Sequence, residues 1–505
     1  MAIRKGLVAG IAGNASAALV AVIVIPIYLR LLGPDGYGLI GFLATLQGWA
    51  LLADLGLSTT MNRELARFRA GAVEAKSTHN LLRSAELTYA TLGLCIGLVI
   101  VALSGPMATH WVHSSIYAHA QLANAVALMG LVLASQWMST LYRGCLLGLE
   151  QQVWVGTVTG VAAIVRGAAT VTVLVAYESS IEAFLWTQLA VGATESLALR
   201  WQLSHRLPAS PGKPRFSLAS LASVRVFALG VTATMILATL LTQLDKLLVA
   251  RFVSLDKFGY FMLAVTISSG LTVMIAPVNN LAYPQFSGLV ASRNTRQLAG
   301  QYHCFSQLLA VGLFPPALLL AFFAESVLHA WTGDPQAAHA AAPILSVWVA
   351  GTALNGLMHI PYAAQLAHGW TRLAAAMNIV TAVCSVPLLA FLVPRYGAVA
   401  AAWVWVVINV GYVSIGVPLM HRRILSGEQA RWYIQDLLGP FAGCVTTALL
   451  AFAAHTRVQP DSRLGEAVFL SIALLVLGIG AAAGSSFARA LITLSFRQSM
   501  SRDRS

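Results

Sequence analysis

Charge is the scarcest thing in this chain. Only 10% of its 505 residues are Asp, Glu, Lys or Arg, while 58% are hydrophobic and the mean hydropathy is +0.75. A soluble domain averages roughly a quarter charged residues, so a water-soluble fold is excluded and an integral membrane protein indicated. Cysteine is sparse too: Cys95, Cys145, Cys304, Cys384 and Cys444 all fall inside apolar runs. That placement suggests neither a disulfide framework nor a metal cluster. No phosphate-binding loop of the G-x-x-x-x-G-K-[ST] kind is present, so direct use of ATP is not expected. A cleavable signal peptide is not expected either, because the first apolar run, about 7–32, is too long and lacks a small-residue cleavage site.

What is abundant is apolar length. A spanning helix needs ~20 mostly apolar residues. On that rule the chain reads as all-α, with about fourteen transmembrane helices, among them 7–32, 37–58, 183–204, 434–455 and 466–494. The connections are short, so consecutive helices should be antiparallel neighbours. The polar stretch around Pro208, Pro211, Lys213, Pro214 and Arg215 separates two sets of six. The expected domains are therefore a six-helix lobe over 1–205, a linker over 206–225, a second six-helix lobe over 226–422, and an additional helix pair with a tail over 423–505.

The net charge of +13 is placed unevenly. One set of loops carries most of the cations, from Arg4 and Lys5 through Arg63, Arg67, Arg69 and Arg83 to Arg422, Arg423, Arg431 and Arg489. The opposite set holds only Arg30, Arg251, Lys257, Arg395, Arg457 and Arg463. Cytoplasmic loops are enriched in Lys and Arg, so both termini are expected in the cytoplasm. The basic balance is topological and calls for no nucleic-acid partner.

A short punctuation occurs twice. P-I-Y-L-R-L-L-G-P-D-G-Y-G at Pro26–Gly38 returns as L-L-V-A-R-F-V-S-L-D-K-F-G at Leu247–Gly259. A shift of 221 positions lays Arg30 on Arg251, Asp35 on Asp256, Gly38 on Gly259 and Thr45 on Thr266. Each copy closes one apolar run, offers an Asp as a helix cap and opens the next run beside a Gly. This reads as an internal duplication, a common plan for transporters, with pseudo-symmetric lobes and a site between them. Pro26 has the best claim among the span prolines to bend its helix, because its run exceeds one bilayer crossing.

Ionisable residues inside spans are costly unless paired or wetted, so each is a functional candidate. Arg166 lies about 13 residues into its span, roughly 20 Å of helix at ~1.5 Å per residue. Counting back from the turn near Ser179 puts Glu195 at a similar depth. The two form either a buried pair locking two helices, or a cavity-facing Arg166 whose anion binding Glu195 tunes. Arg143 reads as an interfacial, snorkelling cation or as a second cavity charge. Lys246 has the same two readings, and Asp245 beside it need not pair with it, since neighbours at i and i+1 point in different directions. Arg30 and Arg251 are interfacial anchors or the flanks of an outer mouth. Asp54 falls near the depth of Asn14, which suggests a structural hydrogen bond between them. His110, His113 and His119 read as scattered interfacial side chains, and no metal is expected. The candidate substrate residues are thus Arg143, Arg166, Lys246, Arg30 and Arg251, with Glu195, Asp245 and Asp54 for ion coupling or charge pairing. An interior dominated by Arg favours a phosphate or pyrophosphate, which a guanidinium grips with two donors.

N-A-S-A-A-L-V-A-V-I-V-I-P-I-Y-L-R-L-L-G-P-D-G-Y-G-L-I at Asn14–Ile40 and D-L-G-L-S-T-T-M-N-R-E-L-A-R at Asp54–Arg67 resemble the Wzx-type polysaccharide-export flippases. Q-L-D-K-L-L-V-A at Gln243–Ala250, with F-G-Y-F at Phe258–Phe261, resembles their seventh helix. These proteins belong to the multidrug/oligosaccharidyl-lipid/polysaccharide exporter superfamily. The resemblance implies flipping of an undecaprenyl-pyrophosphate-linked oligosaccharide from the cytoplasmic to the periplasmic leaflet of the inner membrane. It implies alternating access without a cofactor, coupled to H+ or Na+, and a glycan polymerase and chain-length regulator as partners. A cation-coupled drug antiporter of the same superfamily is one alternative, though it would want unpaired carboxylates. A membrane-embedded glycan polymerase or ligase is another, though it would want a sizeable hydrophilic outer loop.

Overall fold

The computed structural model describes residues 2–207, 214–460, 462–486 and 488–489. Among them the structure is helical throughout, with one isolated bridge between His113 and Ser254 as its extended pairing. Lys213, Pro208 and Pro211 of the expected linker, and Arg497, Arg502 and Arg504 of the tail, lie outside the described residues. By contacts the chain divides into two compact units, Met1–Gly259 and Tyr260–Ser505. The division falls at the glycine that ends the second copy of the repeated punctuation.

The first unit opens with α1 (Ala2–Ala50), a long apolar helix broken at Gly33. Gly33 has φ 70° and ψ 178°, a region essentially closed to residues with a Cβ, and Pro34 follows it. The boundary expected between the runs 7–32 and 37–58 is at Gly33, whereas Pro26, the expected bend, keeps helical backbone angles. The second arm of α1 leads through a tight turn (Leu51–Asp54) into α2 (Leu57–Arg69) and α3 (Ala75–His110). Next come α4 (His119–Gly148), α5 (Gln152–Ala176), α6 (Ile181–Arg206) and α7 (Leu218–Phe252). Ser180 and Ser217 cap α6 and α7 by accepting from backbone N–H groups one turn on. The second arm of α1 runs antiparallel to α7, since a Cβ on Gly38 would meet Leu255, one on Gly48 would meet Gln243, and one on Gly56 would meet Ala228.

The two copies of the punctuation pack on each other. A Cβ on Gly38 would stand 2.3 Å from the Leu255 carbonyl oxygen, and one on Gly259 2.4 Å from the Pro34 carbonyl oxygen. Residues 34 and 255, like 38 and 259, are equivalent under the shift of 221, so the contact is reciprocal in the way a two-fold interface is. Asp35 does not stay a bare cap: the Ser114 hydroxyl donates to its Oδ1 at 2.6 Å, tying the turn after α3 to this junction.

The second unit continues α8 (Leu255–Ser269) into α9 (Thr272–Ala291), α10 (Thr295–Phe322) and α11 (Ala324–Thr332). Then follow α12 (Pro335–Leu357), α13 (His359–Ala367), α14 (Arg372–Tyr396) and α15 (Ala398–Gly411). Asn294 and Asp334 cap α10 and α12, the latter with Pro335 at the first helical position. A π-helical stretch (Tyr412–Gly416) joins α15 to α16 (Val417–Arg423), and a second (Trp432–Leu438) joins α17 (Gln429–Arg431) to α18 (Gly439–Val458). The last helix is α19 (Arg463–Gly484), which α18 meets through glycines four apart on both helices. A Cβ on Gly443 would lie 2.2 Å from the Gly480 carbonyl oxygen, so only glycine permits the close crossing that membrane helices use in place of a hydrophobic drive.

Twelve segments of the described residues are long and apolar enough to cross a membrane, against about fourteen expected. Two differences account for the gap. The expected spans 7–32 and 37–58 fall on the two arms of α1, which counts once as Leu19–Asp54. The expected span 183–204 is α6, which is not among the twelve and carries Gln188, Glu195, Ser196, Arg200 and Gln202.

Candidate functional site

Three of the charges singled out in the sequence meet in the first unit. Arg143 is on α4, Arg166 on α5 and Glu195 on α6. Arg166 Nη2 donates to Glu195 Oε2 at 3.0 Å, and Arg143 Nη2 donates to the other carboxylate oxygen. The Glu195 side chain is 4% exposed, whereas Arg143 and Arg166 are 37% and 31% exposed. One carboxylate thus serves two guanidinium groups, which leaves a net charge of +1. Further donors stay free: the Nε of Arg143 and that of Arg166 are buried without a hydrogen-bond partner.

The helices hold this triad by small polar steps along α6. Gln188 donates to Thr170 of α5 at 3.4 Å, and Ser196 donates to the Ser135 carbonyl of α4 at 2.9 Å. Between them Gly192 lets α4 approach, because a Cβ there would stand 2.5 Å from Gln136 Cγ. Gln136 accepts from Gln47 of α1 at 2.9 Å, and its own Nε2 is buried without a partner. The site is therefore polar, cationic and only partly covered, which suits an anion with several oxygens.

Around these charges the structure corrects the sequence reading at Arg143 and adds detail at Asp245, Lys246 and Asp54. Arg143 does not snorkel away; its guanidinium turns to Glu195, because a carboxylate one helix away is a stronger partner than the interface. Asp245 and Lys246 do associate, with Nζ 3.7 Å from Oδ1, since both side chains are flexible enough to curl around the helix despite their i, i+1 spacing. Lys246 also donates to the Thr242 carbonyl, while Asp245 Oδ1 has no hydrogen-bond partner. Asp54 is taken up locally: the Tyr89 hydroxyl donates to its Oδ1 and the Ser58 hydroxyl to its Oδ2 at 2.9 Å. The side chain of Asn14, its expected partner, lies outside the described residues.

Arg30 is exposed beside the break in α1, and Arg251 lies over the Trp111 ring at 5.8 Å. His113 pairs through its backbone, its carbonyl accepting from Leu255 N at 2.7 Å, and the His110 and His119 rings bond to nearby backbone. Two acidic groups inside expected spans escaped the sequence reading. Glu86 of α3 accepts from Arg200 at 2.8 Å, and Asp436 lies buried in the second π-helical stretch beside His303. Both stood inside apolar runs, where any carboxylate is a signal.

Apolar helices long enough to cross a membrane, twelve among the described residues, define a multi-pass membrane protein, and the comparisons specify its family. The fold matches the lipid II flippase MurJ in an inward closed conformation at a TM-score of 0.70, with 11% identity, covering 97% of this chain and 99% of that one. It also matches the MATE multidrug transporter DinF-BH at 0.59, with 15% identity over 84% of this chain and 95% of that one. At these identities the likeness is one of fold. By sequence, the chain belongs to the polysaccharide biosynthesis protein family, whose model matches residues 27–335. A Shigella flexneri protein named "Putative O-antigen transporter" is 21% identical over 414 residues, 80% of this chain and 94% of its own length. Family and fold together make this a multi-pass membrane protein of the polysaccharide biosynthesis family, with a fold shared by those solved transporters.

Proposed function

We propose that this protein flips an undecaprenyl-pyrophosphate-linked oligosaccharide from the cytoplasmic to the periplasmic leaflet of the inner membrane by alternating access. The observation that carries the proposal is the shared carboxylate: Arg143 and Arg166 both hold Glu195, so the site keeps a positive charge for an anionic headgroup. A pyrophosphate would compete with Glu195 for the donors of the two partly exposed guanidinium groups. Glu195 in turn keeps two guanidinium groups in place while the site is empty, and it resets the site on release. The names of the relatives support this reading, since one is an O-antigen transporter by name and another a lipid II flippase. An interior in which Arg outnumbers its carboxylate does not suit an organic cation.

The test is flipping in reconstituted vesicles with a fluorescent undecaprenyl-pyrophosphate saccharide, read by quenching from outside. Arg166→Ala should abolish flipping at normal protein level, because the remaining Arg143–Glu195 pair is neutral and no longer attracts an anion. Full flipping by Arg166→Ala would remove the triad from the site. Equal flipping of a neutral polyprenol-linked sugar would overturn the headgroup as the recognised feature.

A further inference from the structure

The second unit contains a buried charge cluster that the flippase reading does not use. His303, near the start of α10, is 2% exposed and sits between two carboxylates. Its Nδ1 lies 2.5 Å from Asp436 Oδ2, and its Nε2 lies 2.9 Å from Glu428 Oε2. Asp436 is 0% exposed, and Gln307 donates to its other oxygen at 2.9 Å, while Glu428 is 30% exposed. Gln307 accepts in turn from Ser485, just past α19, at 2.8 Å. The cluster thus fastens α10 to the segment before α18 and to the end of α19.

Both π-helical stretches border it. Asp436 and Trp432 belong to the second, and the Tyr433 hydroxyl of that stretch donates to the Val413 carbonyl of the first. Such stretches recur at functional sites, where a helix gives up regular bonding to aim a side chain. The other groups around the ring are the Trp432 indole, which donates to Ser306 at 3.1 Å, and Tyr302, whose ring is 5.5 Å from those of His303 and His421. The Tyr302 hydroxyl and His421 Nε2 are buried without a hydrogen-bond partner. Arg431 Nη1 stands 3.8 Å from Glu428, and Arg489 follows Ser485 by one turn.

The geometry counts protons. A neutral imidazole has one N–H and one lone pair, so it can donate to only one of two carboxylates. With a carboxylate oxygen at both nitrogens, a lone pair on either would face an anion in a water-poor site, so the cluster needs a second proton, on the ring or on a facing carboxylate. Among the described residues no group of three or more His, Cys, Asp or Glu side chains is placed to hold a metal ion. We infer that Glu428, His303 and Asp436 form a proton-binding site, with Glu428 as its solvent-facing port and His303 as an imidazolium that clasps the last helices to α10. The transfer balances without a co-reactant. A proton landing on Glu428 passes to His303 Nε2, and the proton on Nδ1 is shared with Asp436. Loss of the Nε2 proton back through Glu428 leaves a neutral ring whose lone pair faces that carboxylate, and Glu428 lets go.

The test uses the full chain in lipid nanodiscs with 15N-labelled histidine, read by NMR from pH 5 to 9. The resonance lost in His303→Gln should show both nitrogens protonated at pH 7 and lose one proton as the pH rises. Glu428→Gln should weaken proton binding at that ring about tenfold, the scale set by removing an opposite charge within hydrogen-bond distance. If His303→Gln does not accumulate, the ring is assigned as the histidine that shifts in Glu428→Gln. A singly protonated ring at pH 7, or a titration that Glu428→Gln leaves unchanged, overturns the inference. The readout needs no cargo, so failure of the flippase reading would leave it standing.

Discussion

Glu195 is the residue on which the first unit's charges balance, and the effects of its loss and of its partners' loss should differ in kind. Removing Arg166 leaves a neutral pair; removing Glu195 leaves two guanidinium groups facing each other with no counterion. Breaking a buried pair on one side costs about 3–5 kcal/mol, and because both guanidinium groups here are about a third exposed the cost falls to about 2–3 kcal/mol. Glu195→Ala should therefore lower the thermal midpoint of the detergent-purified protein well below that of Arg166→Ala, and Arg143→Ala/Glu195→Ala should recover most of it. Equal midpoints for the two single variants would mean that Glu195 bears no structural load. From the sequence, depth counting brought Arg166 and Glu195 to one level, because both sit on one hairpin of known turn position. It could not bring in Arg143, whose helix reaches the same level from a different turn and whose orientation only packing decides. His303 and Asp436 are 133 positions apart, and their meeting depends on how α18 docks on α10.

At the scale of elements, the repeated punctuation makes the sharpest claim. Gly38 and Gly259 each touch a carbonyl oxygen of the other copy, and a backbone atom cannot swing aside as a side-chain tip would. Gly38→Ala or Gly259→Ala should each cost about 2–3 kcal/mol, the upper part of the range for overpacking. Gly312→Ala, in α10 with no atom within 4 Å of its Cβ, should instead be neutral or slightly stabilising through better helix propensity. Thermal melts of the three variants decide it: three equal melts would show that the reciprocal contact has room to relax. The equivalence of the two glycines was legible as a shift of 221 positions, but their mutual contact was not, since a repeat fixes similarity and leaves the packing of its copies open. The break at Gly33 falls where the apolar runs 7–32 and 37–58 part, so its place was legible although the residue that makes it was not. Proline announces a helix break by its side chain, whereas a glycine with positive φ looks like any other glycine in the letters.

For the whole molecule, hydropathy and the tally of basic residues carried nearly everything that could be read, because the bilayer imposes both rules on each span regardless of how the helices pack. The uncertain feature was the number of crossings, since α1 is interrupted and α6 is polar. Orientation follows from the same charges and is open to direct measurement. Ala72, in the turn between α2 and α3, lies among Arg63, Arg67, Arg69 and Lys76, and Tyr177, in the turn between α5 and α6, has no cation within ten residues on either side. Both positions are exposed, so neither depends on a conformational change to react. In a variant whose five cysteines are replaced, Tyr177→Cys should react in intact cells with a membrane-impermeant maleimide. Ala72→Cys should react only after the membrane is opened. The two turns are separated by α3, α4 and α5, an odd number of crossings, so labelling of both from one side would require that one of those helices does not span. The reversed pattern would place the cationic loops outside and remove the topological account of the +13 charge.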